Sequence, residues 1–269
     1  MEYLPPRGGP LWMPGAAREL RQSYRAPADL RLLDRARYGS QRWLKRDPNA
    51  PLAEMGRLHI GNCSAVVERL PTELATLFHG LEFTSGESER AVASLQHAAD
   101  ILLSVDSLAG TVGHLIEVVH LLDAPDGHDV SHSTPALPFS VFISVPRQNE
   151  SDGAIRVAES LLHEAMHLQL TLLEAESSLT SSPELDAYSP WKREARPVLG
   201  ILHGLYVFAV VHEALGALDD PGHDRHSYCR ARRATIQDEV ASLPTSPKGL
   251  SATGVALWER CRNSVLAHR

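Results

Sequence analysis

AIRVAESLLHEAMHLQLTLLEAESS, residues 154–178, reads as one amphipathic helix, and its reading decides the fold. Ile155, Ala158, Leu162, Ala165, Met166, Leu170 and Leu173 recur at three- and four-residue spacing and form a stripe to be buried. Asp152 stands where an N-cap belongs. Within the helix lies His163-Glu164-Ala165-Met166-His167. Residues four apart on a helix share a face with Cβ atoms about 6 Å apart. Two imidazoles at that spacing can each offer a nitrogen to one ion, which needs metal–nitrogen distances of about 2.1 Å. Glu164 sits beside them, close enough to handle a proton. Leu161, Leu162, Ala165 and Met166 surround the motif with apolar groups, where two histidines lacking a ligand or hydrogen-bond partner would be costly.

Upstream, short helices are expected at 16–24, 28–37 and 64–79, the last ended by Gly80. Residues 88–122 carry apolar residues at helical spacing and predict one helix, or two broken near Gly110 or Gly113. A loop follows over 123–138. Ser140-Val141-Phe142-Ile143-Ser144-Val145 is a short strand stopped by Pro146. Downstream, a polar loop over 177–190 leads to Trp191, and Pro197 suits the first position of a helix reaching Leu215. Two more helices are expected near 226–242 and 251–267. The fold class is therefore mainly α with a minor β element, the HExxH helix and the helix after it forming the metal site.

Residues 1–60 are set apart as a basic, Pro/Gly-rich N-terminal region, and 61–269 as the helical catalytic domain. Residues 1–15 are not expected to be regular. The first 46 residues hold ten basic side chains (Arg7, Arg18, Arg21, Arg25, Arg31, Arg35, Arg37, Arg42, Lys45, Arg46) against four acids (Glu2, Glu19, Asp29, Asp34). Such an arm can attract an acidic partner or be a solvated terminus. The whole chain carries a net charge of −7, which argues against a general nucleic-acid binder. Its three cysteines, Cys63, Cys229 and Cys261, are widely spaced and give no disulfide framework. With no signal-like segment and no apolar run near the length of a membrane span, a cytoplasmic protein is expected.

Two histidines do not complete a metal site. The Gly and His of the metzincin pattern are replaced by Leu170 and Leu173, which excludes that class. A thermolysin-like carboxylate would come from a later helix. Glu184 and Asp186, the nearest acids, lie instead in a Ser/Pro-rich segment of weak helical periodicity. Glu174 is two turns beyond His167 on the same helix. His203 lies in the apolar run VLGILHGLYVFAVV between Gly200 and Gly204, which would let another helix approach closely. A lone histidine there is usually a satisfied core residue; beside an incomplete HExxH it is a ligand candidate. His212 and Glu213 are weaker ones. Arg196, seven residues before His203, shares its face if the helix extends that far back. Its guanidinium would then need an acidic cosubstrate or a structural carboxylate.

HEAMHLQLTLLEAE, YSPWKREARPVLGILHGLYVFAVVHEAL and the upstream DVSHSTPALPFSVFISVP together resemble the HExxH-motif proteins encoded with ribosomal peptide natural products. Members of that family are iron(II)- and 2-oxoglutarate-dependent peptide β-hydroxylases. The resemblance runs over about residues 100–265. It implies that His163, His167 and His203 bind iron(II) and that Arg196 holds the 2-oxoglutarate carboxylate. A three-histidine set departs from the two-His-one-carboxylate face usual for such oxygenases. Glu164 then orients a water or substrate group, and Ser131, Ser133 and Ser144, in matching blocks, line the pocket. The resemblance further implies a precursor peptide as the partner, hydroxylated at a side-chain Cβ with consumption of O2, and the basic arm could then recruit it.

Two other readings compete. In a zinc metallopeptidase Glu164 would be the general base on zinc-bound water. In a non-catalytic peptide-binding scaffold the histidines would be structural.

Overall fold

The computed structural model describes residues 9–23, 54–69, 81, 88–135, 137–146, 151–182 and 185–267. It is mainly α with a minor β element. Two compact units divide the chain: Ala17–Leu168, and Met1–Ala16 together with Gln169–Arg269.

The first unit is built on a five-stranded sheet of order β1-β2-β3-β5-β4. Its strands are β1 (Glu54–Ile60), β2 (Cys63–Glu68), β3 (Val118–Leu122), β4 (Ser131–Ser133) and β5 (Ser140–Ser144). β1 and β2 form an antiparallel hairpin turning at Gly61-Asn62; β2, β3 and β5 run parallel, and β4 closes the edge antiparallel to β5. Helix α1 (Pro14–Ser23) starts in the other unit and ends in this one. Between β2 and β3 come α2 (Ser88–Leu103) and α3 (Asp106–Leu115). Leu95, Ala98, Leu102, Leu108, Val112 and Leu115 are wholly buried, as their helical spacing requires.

Several expectations are corrected here. The helix expected at 64–79 is strand β2 in its described part, with the rest outside the described residues; so is the helix expected at 28–37. Val66 and Val67 favour the pleated conformation, and a two-residue Gly-Asn turn fixes the hairpin. The boundary expected at residue 60 falls in that turn. The 88–122 helix breaks at Ser104-Val105 rather than at a glycine, and its last five residues are strand β3, buried on both faces. Such a run has no alternation to separate it from a buried helix. The 123–138 loop contains β4. By contrast, β5 lies where the sequence puts it.

Helix α4 (Gly153–Glu176) carries the chain into the second unit. There follow the hairpin β6 (Asp186–Ser189) and β7 (Glu194–Pro197), then α5 (Val198–Leu218), α6 (Arg225–Ala241) and α7 (Ala252–Leu266). α5 is the core helix, packed by α6, α7 and the hairpin. It is also long and apolar enough to cross a membrane, contrary to expectation, with 67% of the relevant window buried inside the protein. Of the residues expected to be irregular, 9–13 are so while Pro14 and Gly15 open α1, and Leu11, Trp12 and Met13 are buried in this unit. Gln169 Nε2 donates to the carbonyls of Trp12 (3.2 Å) and Met13 (3.4 Å), and Tyr206 Oη bonds Gln169 Oε1 at 2.6 Å. Residues 11–13 therefore belong to the second unit's core.

The start of α7 is equally tight. Ser251 caps it by accepting from Gly254 N at 3.1 Å, and a Cβ on Gly254 would lie 2.1 Å from the Leu179 carbonyl oxygen. Because that neighbour is backbone, Gly254→Ala is expected to cost about 1–3 kcal/mol. Urea unfolding checks this, and a midpoint equal to wild type would contradict the packing.

Candidate functional site

A helix turning 100° per residue separates His163 and His167 from Glu164. The two rings share one face of α4, half-buried, with centroids 4.9 Å apart in an edge-on arrangement. Glu164 points elsewhere and is only 3% exposed. Leu161, Leu162, Ala165 and Met166 are buried around it.

β4 meets Glu164. Ser131 Oγ donates to Oε1 and Ser133 Oγ donates to Oε2, each at 2.6 Å. These are the short distances of hydrogen bonds to an ionised acceptor. Alternation along the strand puts both hydroxyls on one side and His132 on the other, where its ring lies 5.8 Å from Phe142. Two further contacts fix the strand. Asp129 forms a bidentate pair with Arg156 in the first turn of α4 (2.8 and 2.9 Å), and Ser144 Oγ accepts from Val130 N at 2.8 Å. Ser144 thus holds β4 to β5. Asp129 and Arg156 were not anticipated, although Asp129, Ser131 and Ser133 already show the period of two that marks one strand face.

The other expected site residues lie in the second unit. His203 is in α5, and its Nε2 is 3.2 Å from Glu174 Oε2. The body that approaches Gly204 is not a helix but the Trp191 indole: a Cβ there would lie 2.7 Å from the ring. That ring stacks on Phe208 at 5.2 Å. Arg196 does not extend α5. It lies in β7, since Pro197 has φ −49° and ψ 137° and the helix begins at Val198. Its side chain is 49% exposed and pairs with Glu194 at 3.1 Å, so the expected buried guanidinium is not observed. Glu213 Oε2 accepts from Leu11 N at 3.3 Å, which gives it a role in holding the N-terminal segment. Asp186 opens β6 and Glu184 lies outside the described residues. Among the described residues, no three His, Cys, Asp or Glu side chains are grouped to hold an ion. His163 and His167 therefore fit two ligand positions of an imidazole-bound metal, a pair rather than a full set.

Burial lowers the pKa of His132 below 6.5. Burial, then the charges of Arg21 and Arg18, do the same to His114 at the end of α3. The unfolded chain therefore takes up protons on these groups before the folded one does. Their stability contribution is full above pH 6.5 and is lost as pH falls from there toward the lowered native values. The urea midpoint is expected to drop between pH 7.5 and 5.5 and to drop less in His132→Phe; an unchanged slope in that variant would contradict this.

In comparison with known proteins, no family model and no curated protein matches the chain.

Proposed function

We propose that this protein is an iron(II)- and 2-oxoglutarate-dependent oxygenase that hydroxylates a side-chain Cβ of a ribosomally made precursor peptide. His163 and His167 supply two of its iron ligands. The observation that supports an oxygenase over a zinc metallopeptidase is the state of Glu164. A hydrolytic base must turn a free carboxylate oxygen toward a metal-bound water. Here each carboxylate oxygen accepts a serine hydroxyl in a buried setting. Glu164 instead acts as a brace. It ties the helix bearing both imidazoles to β4, and so sets the direction of their ring nitrogens.

Iron(II) held by His163 and His167 would supply the oxidative chemistry, in which 2-oxoglutarate and O2 give succinate and CO2 while one oxygen atom enters a peptide C–H bond. The protein's own task is to hold the ligands and place the peptide carbon. 2-Oxoglutarate and O2 are thus cosubstrates, and the precursor peptide is the partner.

Glu164→Gln tests the brace. A carboxamide has nearly the same shape, and a serine hydroxyl can rotate to accept from its NH2, so both contacts persist. Peptide-dependent succinate formation is expected to stay within about tenfold of wild type, whereas loss of a general base costs about 10²–10⁴-fold. Peptide hydrolysis by wild type without 2-oxoglutarate, abolished in Glu164→Gln, would establish the peptidase instead.

A further inference from the structure

The end of α3 meets the β1–β2 turn at a point outside the site just described. A Cβ on Gly113 would lie 2.6 Å from the Ile60 carbonyl oxygen and 2.9 Å from the Cys63 Cβ, so only glycine admits this approach. It sets His114 Nδ1 3.6 Å from Cys63 Sγ, within hydrogen-bonding reach for sulfur. Arg21 donates to the His114 carbonyl at 2.8 Å and also pairs with Glu117, which fixes the helix end. Cys63 and His114 are both partly exposed, so a small reagent has access. The other two thiols are wholly buried, and burial pushes that of Cys261 up to about 12.

We propose that Cys63 and His114 form a nucleophile–base pair that makes Cys63 a site of oxidation by hydrogen peroxide. A thiol is a poor nucleophile until its proton leaves, and a neutral imidazole in contact with it is the usual acceptor. Burial and the charges of Arg21 and Arg18 keep His114 unprotonated at neutral pH, with a lone pair available to Sγ–H. In the step, the thiol proton passes to Nδ1 and sulfur attacks one peroxide oxygen. The O–O bond breaks, and the departing hydroxide takes the proton from the imidazolium as water. Sulfur is oxidised by two electrons to sulfenic acid and the peroxide is reduced by two.

The test treats the full chain with hydrogen peroxide at pH 7, traps sulfenic acid with dimedone and locates adducts by peptide mass spectrometry. Labelling is expected at Cys63, at least about tenfold above Cys229 and Cys261. Because exposure alone would favour Cys63, a synthetic peptide of residues 57–69 is the reference. Cys63 in the protein is expected to react about tenfold faster than in that peptide. His114→Phe and His114→Asn, compared at equal folded content by circular dichroism, are expected to remove this excess. A peptide that reacts as fast as the protein, or unchanged labelling in either folded variant, overturns the proposal.

Discussion

His163→Ala and His167→Ala are each expected to abolish iron binding and turnover while the fold persists. The rings project from one face of a 24-residue helix with centroids 4.9 Å apart, and neither substitutes for the other. Outer partners of a metal ligand typically carry about 10–100-fold in affinity, so loss of the ligand itself should exceed about a hundredfold. Stability should move little, because both rings are only half-buried and Ala favours the helix. Iron stoichiometry after reconstitution, read beside the thermal midpoint, separates the two effects. Full iron content in either variant would refute the ligand pair.

Ser131→Ala/Ser133→Ala is expected to be the most destabilising change in the neighbourhood. Each serine alone gives a charged acceptor one short bond, worth about 1.5–3 kcal/mol. Removing both leaves a carboxylate that is 3% exposed without its two hydroxyl donors, so a loss of about 3 kcal/mol or more follows. β4 keeps Asp129–Arg156, so the effect should appear as weakened stability and disordered histidines rather than a lost strand. Adding Glu164→Gln should recover part of the loss, since a neutral amide is cheaper than a carboxylate to bury with fewer donors. A double serine variant within 0.5 kcal/mol of wild type, the range of ordinary surface changes, would show that Glu164 needs no brace.

The long helices were legible because their apolar period extends over several turns. α6 and α7 are anticipated to within one residue at each end, α4 to within two, and α5 to within three. β2 and β3 were hidden for a physical reason. Val66 pairs with Val118, fifty-two positions away in sequence, and nothing local announces that partner. Buried on both faces, β3 also lacks the alternation that separates a half-buried strand from a helix. The site divides in the same way. Spacing within one helix revealed His163, Glu164 and His167, and the resemblance singled out Ser131 and Ser133. That the serines grip Glu164 depends on β4 lying against α4, a long-range arrangement. Arg196 was misplaced because Pro197, compatible with a helix start, also ends β7 opposite Asp186.

The central claim is that the histidine pair holds iron(II) to which an oxoacid chelates. Anaerobic titration of iron(II) into the full-length protein with 2-oxoglutarate present tests it most directly. A metal-to-ligand charge-transfer band that saturates with iron, and is missing in His163→Ala, is the predicted result. Iron binding without any such band, or the band undiminished in His163→Ala, would contradict it.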